Sequence, residues 1–182
     1  MKRAILLICV LALGWMIWPS IAPAIASFNF SASGNTDIYS VAGKPTISAS
    51  KIDGILCSVS SPACSTGKSL YSLGVQYGID PVFALAFFQH ESSFGTQGVA
   101  RVNLGLGNIR CTSGYVCKSG YRAYSSWVAG YVDWYKLIAE QYMGKWKLTT
   151  VEQIILVYAP AGENDTQGYI NAVEQSVDAW RK

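Results

Sequence analysis

The sequence predicts a mainly α (α+β) domain with a small disulfide-tied β-hairpin lobe. Three observations carry that expectation. Asp80-Pro81 is a helix start signal, and the run behind it, Val82-Phe83-Ala84-Leu85-Ala86-Phe87-Phe88, is apolar on every side. Such a helix belongs in the middle of a domain. Residues 95–120 are instead rich in glycine, hold two cysteines and carry Ile109, Tyr115 and Val116, a pattern of loops and a short hairpin. Beyond residue 125 capped, helically periodic segments return.

At the N-terminus Lys2 and Arg3 precede an apolar run over residues 4–18, followed by Ala24-Ile25-Ala26. Charged head, apolar middle and small residues are the parts of a secretory signal. The run falls short of the ~20 residues that a spanning helix wants. Residues 1–26 are therefore expected to be a cleaved signal peptide, with an uncleaved membrane tether as the alternative. Cys9 sits inside the apolar run behind Ile8, which speaks against lipoprotein acylation. Residues 27–49 are rich in Ser, Ala, Gly, Asn and Thr without a sustained period and are expected to be a flexible linker. That leaves residues 50–182 as one domain.

Within it, a short helix is predicted over residues 51–59, ending in Ser-Ser-Pro. A second spans 69–77, with Leu70, Leu73 and Tyr77 at helical spacing and Gly78 as its stop. The buried helix follows over 81–92. Ser125 or Ser126 caps a long amphipathic helix reaching about residue 143. Thr149-Thr150-Val151-Glu152 reads as a capping box for a helix that Pro160 ends, and a last helix is predicted over 166–180.

Without residues 1–26 the chain holds 12 Lys and Arg against 11 Asp and Glu, so net charge names no partner. The distribution is more informative. No acid lies between Glu91 and Asp133, while Arg101, Arg110, Lys118 and Arg122 do, a stretch suited either to an anionic polymer or to an ordinary solvated surface. Cys57, Cys64, Cys111 and Cys117 allow three pairings, and the short spacings favour Cys57–Cys64 and Cys111–Cys117. Export makes disulfides chemically reasonable. Zinc is disfavoured because the spacings are not of the CxxC kind and His90 is the sole histidine. No metal, no other cofactor and no nucleic-acid module is expected.

The chemistry concentrates in His90-Glu91-Ser92-Ser93-Phe94-Gly95. Glu91 lies one turn beyond Phe87 and Phe88, so its carboxylate should rest against their rings. Apolar surroundings raise a carboxyl pKa, as a general acid requires near neutral pH. The competing reading is a solvated glutamate, but a helix C-terminus is electrostatically poor for an anion. His90, about 100° around the helix, is read as structural rather than catalytic.

Residues 84–95, Ala-Leu-Ala-Phe-Phe-Gln-His-Glu-Ser-Ser-Phe-Gly, resemble the catalytic motif of glycoside hydrolase family 73, the bacterial glucosaminidases. Gly107-Asn108-Ile109-Arg110, then Tyr121-Arg122-Ala123-Tyr124-Ser125-Ser126-Trp127, then Tyr158-Ala159-Pro160 follow in the family's order. The resemblance implies a lysozyme-like fold and hydrolysis of the β-1,4 bond on the reducing side of N-acetylglucosamine. It implies Glu91 as catalytic acid and Tyr158 in the active-site cleft, though a core tyrosine reads equally well there. Phe94, Asn108, Tyr121 and Tyr124 are taken as substrate-binding, with Tyr115 and Trp127 as further aromatics near the cleft. Trp127, Tyr131, Trp134 and Tyr135 otherwise read as packing residues. Peptidoglycan glycan strands are the expected partner, and a secreted, cell-wall-associated monomer the expected form, touching membrane only through its N-terminal segment.

One departure from the family stands out, since residues 92–132 hold no second acid. Asp133, Glu163 and Asp165 are substitutes by elimination, and the substrate's own 2-acetamido group is another. A lytic transglycosylase and a non-catalytic wall-binding module remain as competing readings. An amidase is disfavoured, because it would need zinc or a Cys–His pair.

Overall fold

The computed structural model describes residues 38–162 and 164–182. The expected signal peptide, residues 27–37 of the expected linker, and Glu163 lie outside the described residues. In chain order the elements are α1 (Ala49–Ser58), α2 (Gly67–Tyr77), α3 (Pro81–Ser92), the one-turn α4 (Ala100–Asn103), strands β1 (Cys117–Lys118) and β2 (Tyr121–Arg122), α5 (Trp127–Lys136), a π-helix (Leu137–Lys145), α6 (Val151–Tyr158) and α7 (Thr166–Trp180). The fold is mainly helical with one small antiparallel hairpin, which is the α+β class expected.

Helix α3 is the axis of the core. The Asp80 side chain accepts from the Val82 N–H at 3.2 Å and Pro81 takes the first turn, so both start signals operate. All of residues 81–88 are buried. Phe87 meets Trp134, Tyr158 and Tyr169 at ring-centroid distances of 5.5, 5.7 and 5.7 Å. Phe88 meets Tyr131 and Trp134 at 5.5 and 5.2 Å. Helices α5, α6 and α7 thus close on α3 through aromatic pairs, each worth about 0.5–1.5 kcal/mol beyond its buried area. Tyr131, Trp134 and Tyr135 are wholly buried packing residues.

Residues 38–49 are not a linker. Val41 and Ile47 are buried in the core. The Val41 N–H donates to the Thr149 carbonyl at 2.8 Å, and its own carbonyl accepts from the Asp80 N–H at 3.0 Å. Val41 is thereby held between the starts of α3 and α6, and single buried residues six apart leave no period in the sequence.

The long helix expected to reach residue 143 changes type at Leu137, where the π-helix begins. Its hydrogen bonds span five residues, and Leu137 and Tyr142, five apart, both line the same cleft. The capping box sits one residue later than expected. Gln153 N–H donates to Thr150 Oγ1 at 3.3 Å, while Gln153 Oε1 accepts from the Thr150 N–H at 3.3 Å.

Disulfides join Cys57 to Cys64 and Cys111 to Cys117, the pairing that the spacings favour. The second closes the hairpin, in which Cys117 opposes Arg122 and Lys118 opposes Tyr121. Ser119 and Gly120 turn it with φ of 52° and 82°, the left-handed pair that matches strand twist.

Candidate active site

Helix α3 ends abruptly just past Glu91. Ser93, Phe94 and Gly95 take φ of 46°, 57° and 79°, and the chain turns away sharply. The Ser92 hydroxyl locks that turn by donating to the Leu106 carbonyl at 2.9 Å. Glu91 is left on the wall of a cleft of about 760 Å³, formed by the end of α3, the hairpin, the π-helix and the α6–α7 junction.

Tyr169 O–H donates to Glu91 Oε1 at 2.7 Å. The Asn108 side-chain N–H donates to the Glu91 backbone carbonyl at 2.6 Å, which clamps the end of the helix. Burial pushes the Glu91 carboxyl from 4.5 up to about 7, and the hydrogen bonds from Tyr169 and Asn108 oppose that rise. No ion pair to Glu91 is found among the described residues. The group is therefore a buried acid held by neutral donors, able to keep or release a proton near neutral pH.

Asn108 reaches this position because the chain before it runs tight against the core. A Cβ on Gly107 would stand 2.5 Å from the Trp134 indole. Asn108 itself takes a left-handed φ of 43°. Its side-chain Oδ1 is buried and has no hydrogen-bond partner among the described residues. Tyr158 also lines the cleft, but its hydroxyl donates to the Gly107 carbonyl in a short hydrogen bond. Burial, then the charge of Glu91, push that phenol well above its usual range. Tyr121, half-buried on β2, lines the cleft beside Arg110 and Arg122.

Two of the expected substrate-binding residues, Phe94 and Tyr124, lie elsewhere, and Tyr115 and Trp127 do not line the cleft either. The left-handed turn throws Phe94 into the core, 3 % exposed, with its ring 6.2 Å from Trp180 and its carbonyl accepting from Ser61 Oγ at 2.7 Å. The Tyr124 ring fills a slot that only glycine leaves open, since a Cβ on Gly105 or Gly130 would come within 2.7 or 3.3 Å of it. Tyr124 O–H donates to Asp133 at 2.7 Å, and burial followed by that carboxylate pushes its pKa up. Tyr115 lies under the Arg122 guanidinium, 3.6 Å from the ring centroid.

His90 is exposed at the cleft edge, its ring stacked on Tyr169 at 3.7 Å and 18°. Burial of that face lowers its pKa, against a raising effect from Asp165.

The candidate second acids separate clearly. Asp133 is bound by Arg122 at 2.9 Å and by Tyr124, and it does not line the cleft. Asp165 does line it, at the start of α7, where it accepts from the Gly168 N–H at 3.0 Å. Sequence reading missed Tyr169, Tyr142 and Leu137, because nothing local distinguishes them from packing residues on amphipathic helices.

No family model matches the chain, and no curated protein does. Among solved structures the chain is similar to a C-terminally truncated glycoside hydrolase domain from Salmonella typhimurium FlgJ. Identity is 17%, coverage is 70% of this chain and 96% of that one, and the TM-score is 0.47.

Proposed function

We propose that this chain is a peptidoglycan hydrolase that cuts the β-1,4 bond on the reducing side of N-acetylglucosamine, with Glu91 as general acid. The observation that carries the reading is the Glu91 carboxyl, pushed up to about 7 by burial on the wall of an open cleft of about 760 Å³. A glycosidic bond breaks when its leaving oxygen receives a proton as positive charge grows on the sugar ring. Glu91 supplies that proton. Tyr169 holds Oε1, which leaves Oε2 to carry the proton to the substrate. The motif resemblance supports the sugar and bond assignment, and two disulfides fit an extracytoplasmic, cell-wall-associated protein.

Departure of the leaving group can be completed by two routes. In one, the 2-acetamido oxygen attacks the anomeric carbon as the leaving bond breaks. Water then opens the resulting ring while Glu91 takes back a proton, and configuration is retained. In the other, Asp165 removes a proton from a water that attacks directly, and configuration inverts. The missing acid in the β lobe favours the first.

Digestion of purified peptidoglycan, with product analysis, tests the assignment. Reducing N-acetylglucosamine ends are expected, and the β anomer should appear first in NMR. Ends of the 1,6-anhydro-muramic type would replace this reading with a lytic transglycosylase. An initial α anomer would replace the acetamido route with direct attack by water, activated by Asp165 or Glu163. Intact glycan that is nonetheless bound would make the chain a wall-binding module.

A further inference from the structure

A second groove opens on the other side of His90. It encloses about 490 Å³, within the range of small-ligand sites, and follows the seam where α3 packs on α7. His90 lines both this groove and the Glu91 cleft, so the two adjoin at its ring. Among the described residues, the groove walls contain no Lys, Arg, Asp or Glu. Their polar groups are the amides of Gln89 and Gln175 and the hydroxyl of Ser176. Ser176 Oγ donates to Gln89 Oε1 at 2.8 Å and so orients that amide. Trp180, half-buried, adds an indole face at one end, and Ala86, Ala172 and Ala179 keep the remaining wall free of bulk.

We propose that this groove binds the glycan strand beyond the bond that is cut, taking an uncharged saccharide rich in hydroxyl and acetamido groups. The inference rests on the reading of the Glu91 cleft as a glycan site. Side-chain amides and a hydroxyl exchange hydrogen bonds with sugar substituents, while an indole covers the apolar face of a ring. The peptide stem of peptidoglycan carries carboxylates, which are costly to desolvate without a cation. The groove offers none beyond His90.

The test uses Ala179→Trp, which fills the groove from an exposed position on α7, and Gln175→Ala, which removes an exposed amide. Neither residue lines the Glu91 cleft. Each change is placed in the Glu91→Gln background, and peptide-free glycan oligosaccharides of increasing length, their lactyl carboxyls capped as simple amides so that the sugars are uncharged, are titrated by calorimetry, with thermal melts as the folding control. Affinity should rise roughly tenfold between an oligosaccharide that fills the cleft and one two sugars longer, an increment of about 1.4 kcal/mol. Ala179→Trp should abolish the increment and leave affinity for the shorter sugar unchanged, and Gln175→Ala should reduce the increment. An increment that survives Ala179→Trp overturns the groove assignment and leaves the Glu91 reading standing. Affinity that follows the presence of a stem peptide rather than glycan length also overturns it, as does self-association that Ala179→Trp abolishes. Absence of glycan binding at any length overturns both readings.

Discussion

The end of α3 and the junction between the hairpin and α5 each hold a sheltered carboxylate, yet the two are treated in opposite ways. Glu91 meets a phenol hydroxyl and lies beside a carboxamide, both neutral, and burial pushes its carboxyl up to about 7. Asp133 meets the Arg122 guanidinium at 2.9 Å, with the two side chains 13 % and 9 % exposed, and takes a further hydrogen bond from Tyr124. The cation partner ties the Asp133 carboxylate into the packing of the hairpin on α5. Neutral donors leave the proton exchangeable. Burial with only neutral partners marks Glu91 as an acid that can do catalysis, whereas Asp133 is tied to a cation and holds the hairpin against a helix.

Substitution by amides should break the comparison most sharply. Glu91→Gln keeps shape and hydrogen bonding but has no acidic proton, so glycan cleavage should fall by at least ~10²-fold, the usual worth of general acid catalysis. Its circular dichroism should match that of the wild type. Near-normal turnover in this variant would remove Glu91 from the mechanism. Asp133→Asn should show the reverse pattern. It leaves the Arg122 guanidinium sheltered without its counter-ion, at a cost of about 3 kcal/mol in chemical denaturation. Turnover per folded molecule should change little, and a loss as large as that of Glu91→Gln would mean that Asp133 acts in catalysis.

Titration sharpens the same contrast. The Glu91 carboxyl binds its proton more tightly in the folded protein, at about 7, than at the ordinary 4.5. Its contribution to stability is therefore complete below about pH 4.5 and is lost as pH rises through 7. Relative to Glu91→Gln, the wild type should lose up to roughly 3 kcal/mol between pH 4 and pH 8. Urea unfolding of both proteins across that range measures it, and parallel stability curves would contradict the raised pKa. Activity should decline on the alkaline side of pH 7 for the same reason.

The smallest effect is expected from Tyr169→Phe. That change removes the donor on Oε1, which now holds the Glu91 pKa down. The alkaline limb of the pH–rate profile should move upward, with modest loss of turnover. A limb that stays in place would show that the Tyr169 hydroxyl does not act on the proton that Glu91 donates.

Much of the fold was legible because it is written locally. Asp80-Pro81 and the all-apolar run announced α3, Ser126 and Thr150 cap the helices expected after them, and short cysteine spacings favoured both disulfides. Periodicity failed where structure is made of single insertions. Val41 and Ile47 drop separately into the core from a segment with the composition of a linker. The π-helix was equally hidden, since an amphipathic stripe reads much the same whether its hydrogen bonds span four residues or five.

Within the site, Glu91 was visible from its own helix, because burial of one face follows from neighbours three and four positions away. Its environment was not. Tyr169 reaches the carboxylate across 78 positions, and Asn108 reaches its backbone across 17. Phe94 and Tyr124 match the expected pattern as letters, yet a left-handed turn and a pair of glycines direct both rings inward. The sequence by itself determined which carboxyl would be sheltered and which segments would be helical, since helix spacing and capping are set by near neighbours. Only the tertiary structure decided which donors meet Glu91, which acids enter the cleft and which aromatic rings face it. Those depend on side chains from α3, the hairpin and α7 converging, and no local pattern encodes a meeting of distant segments.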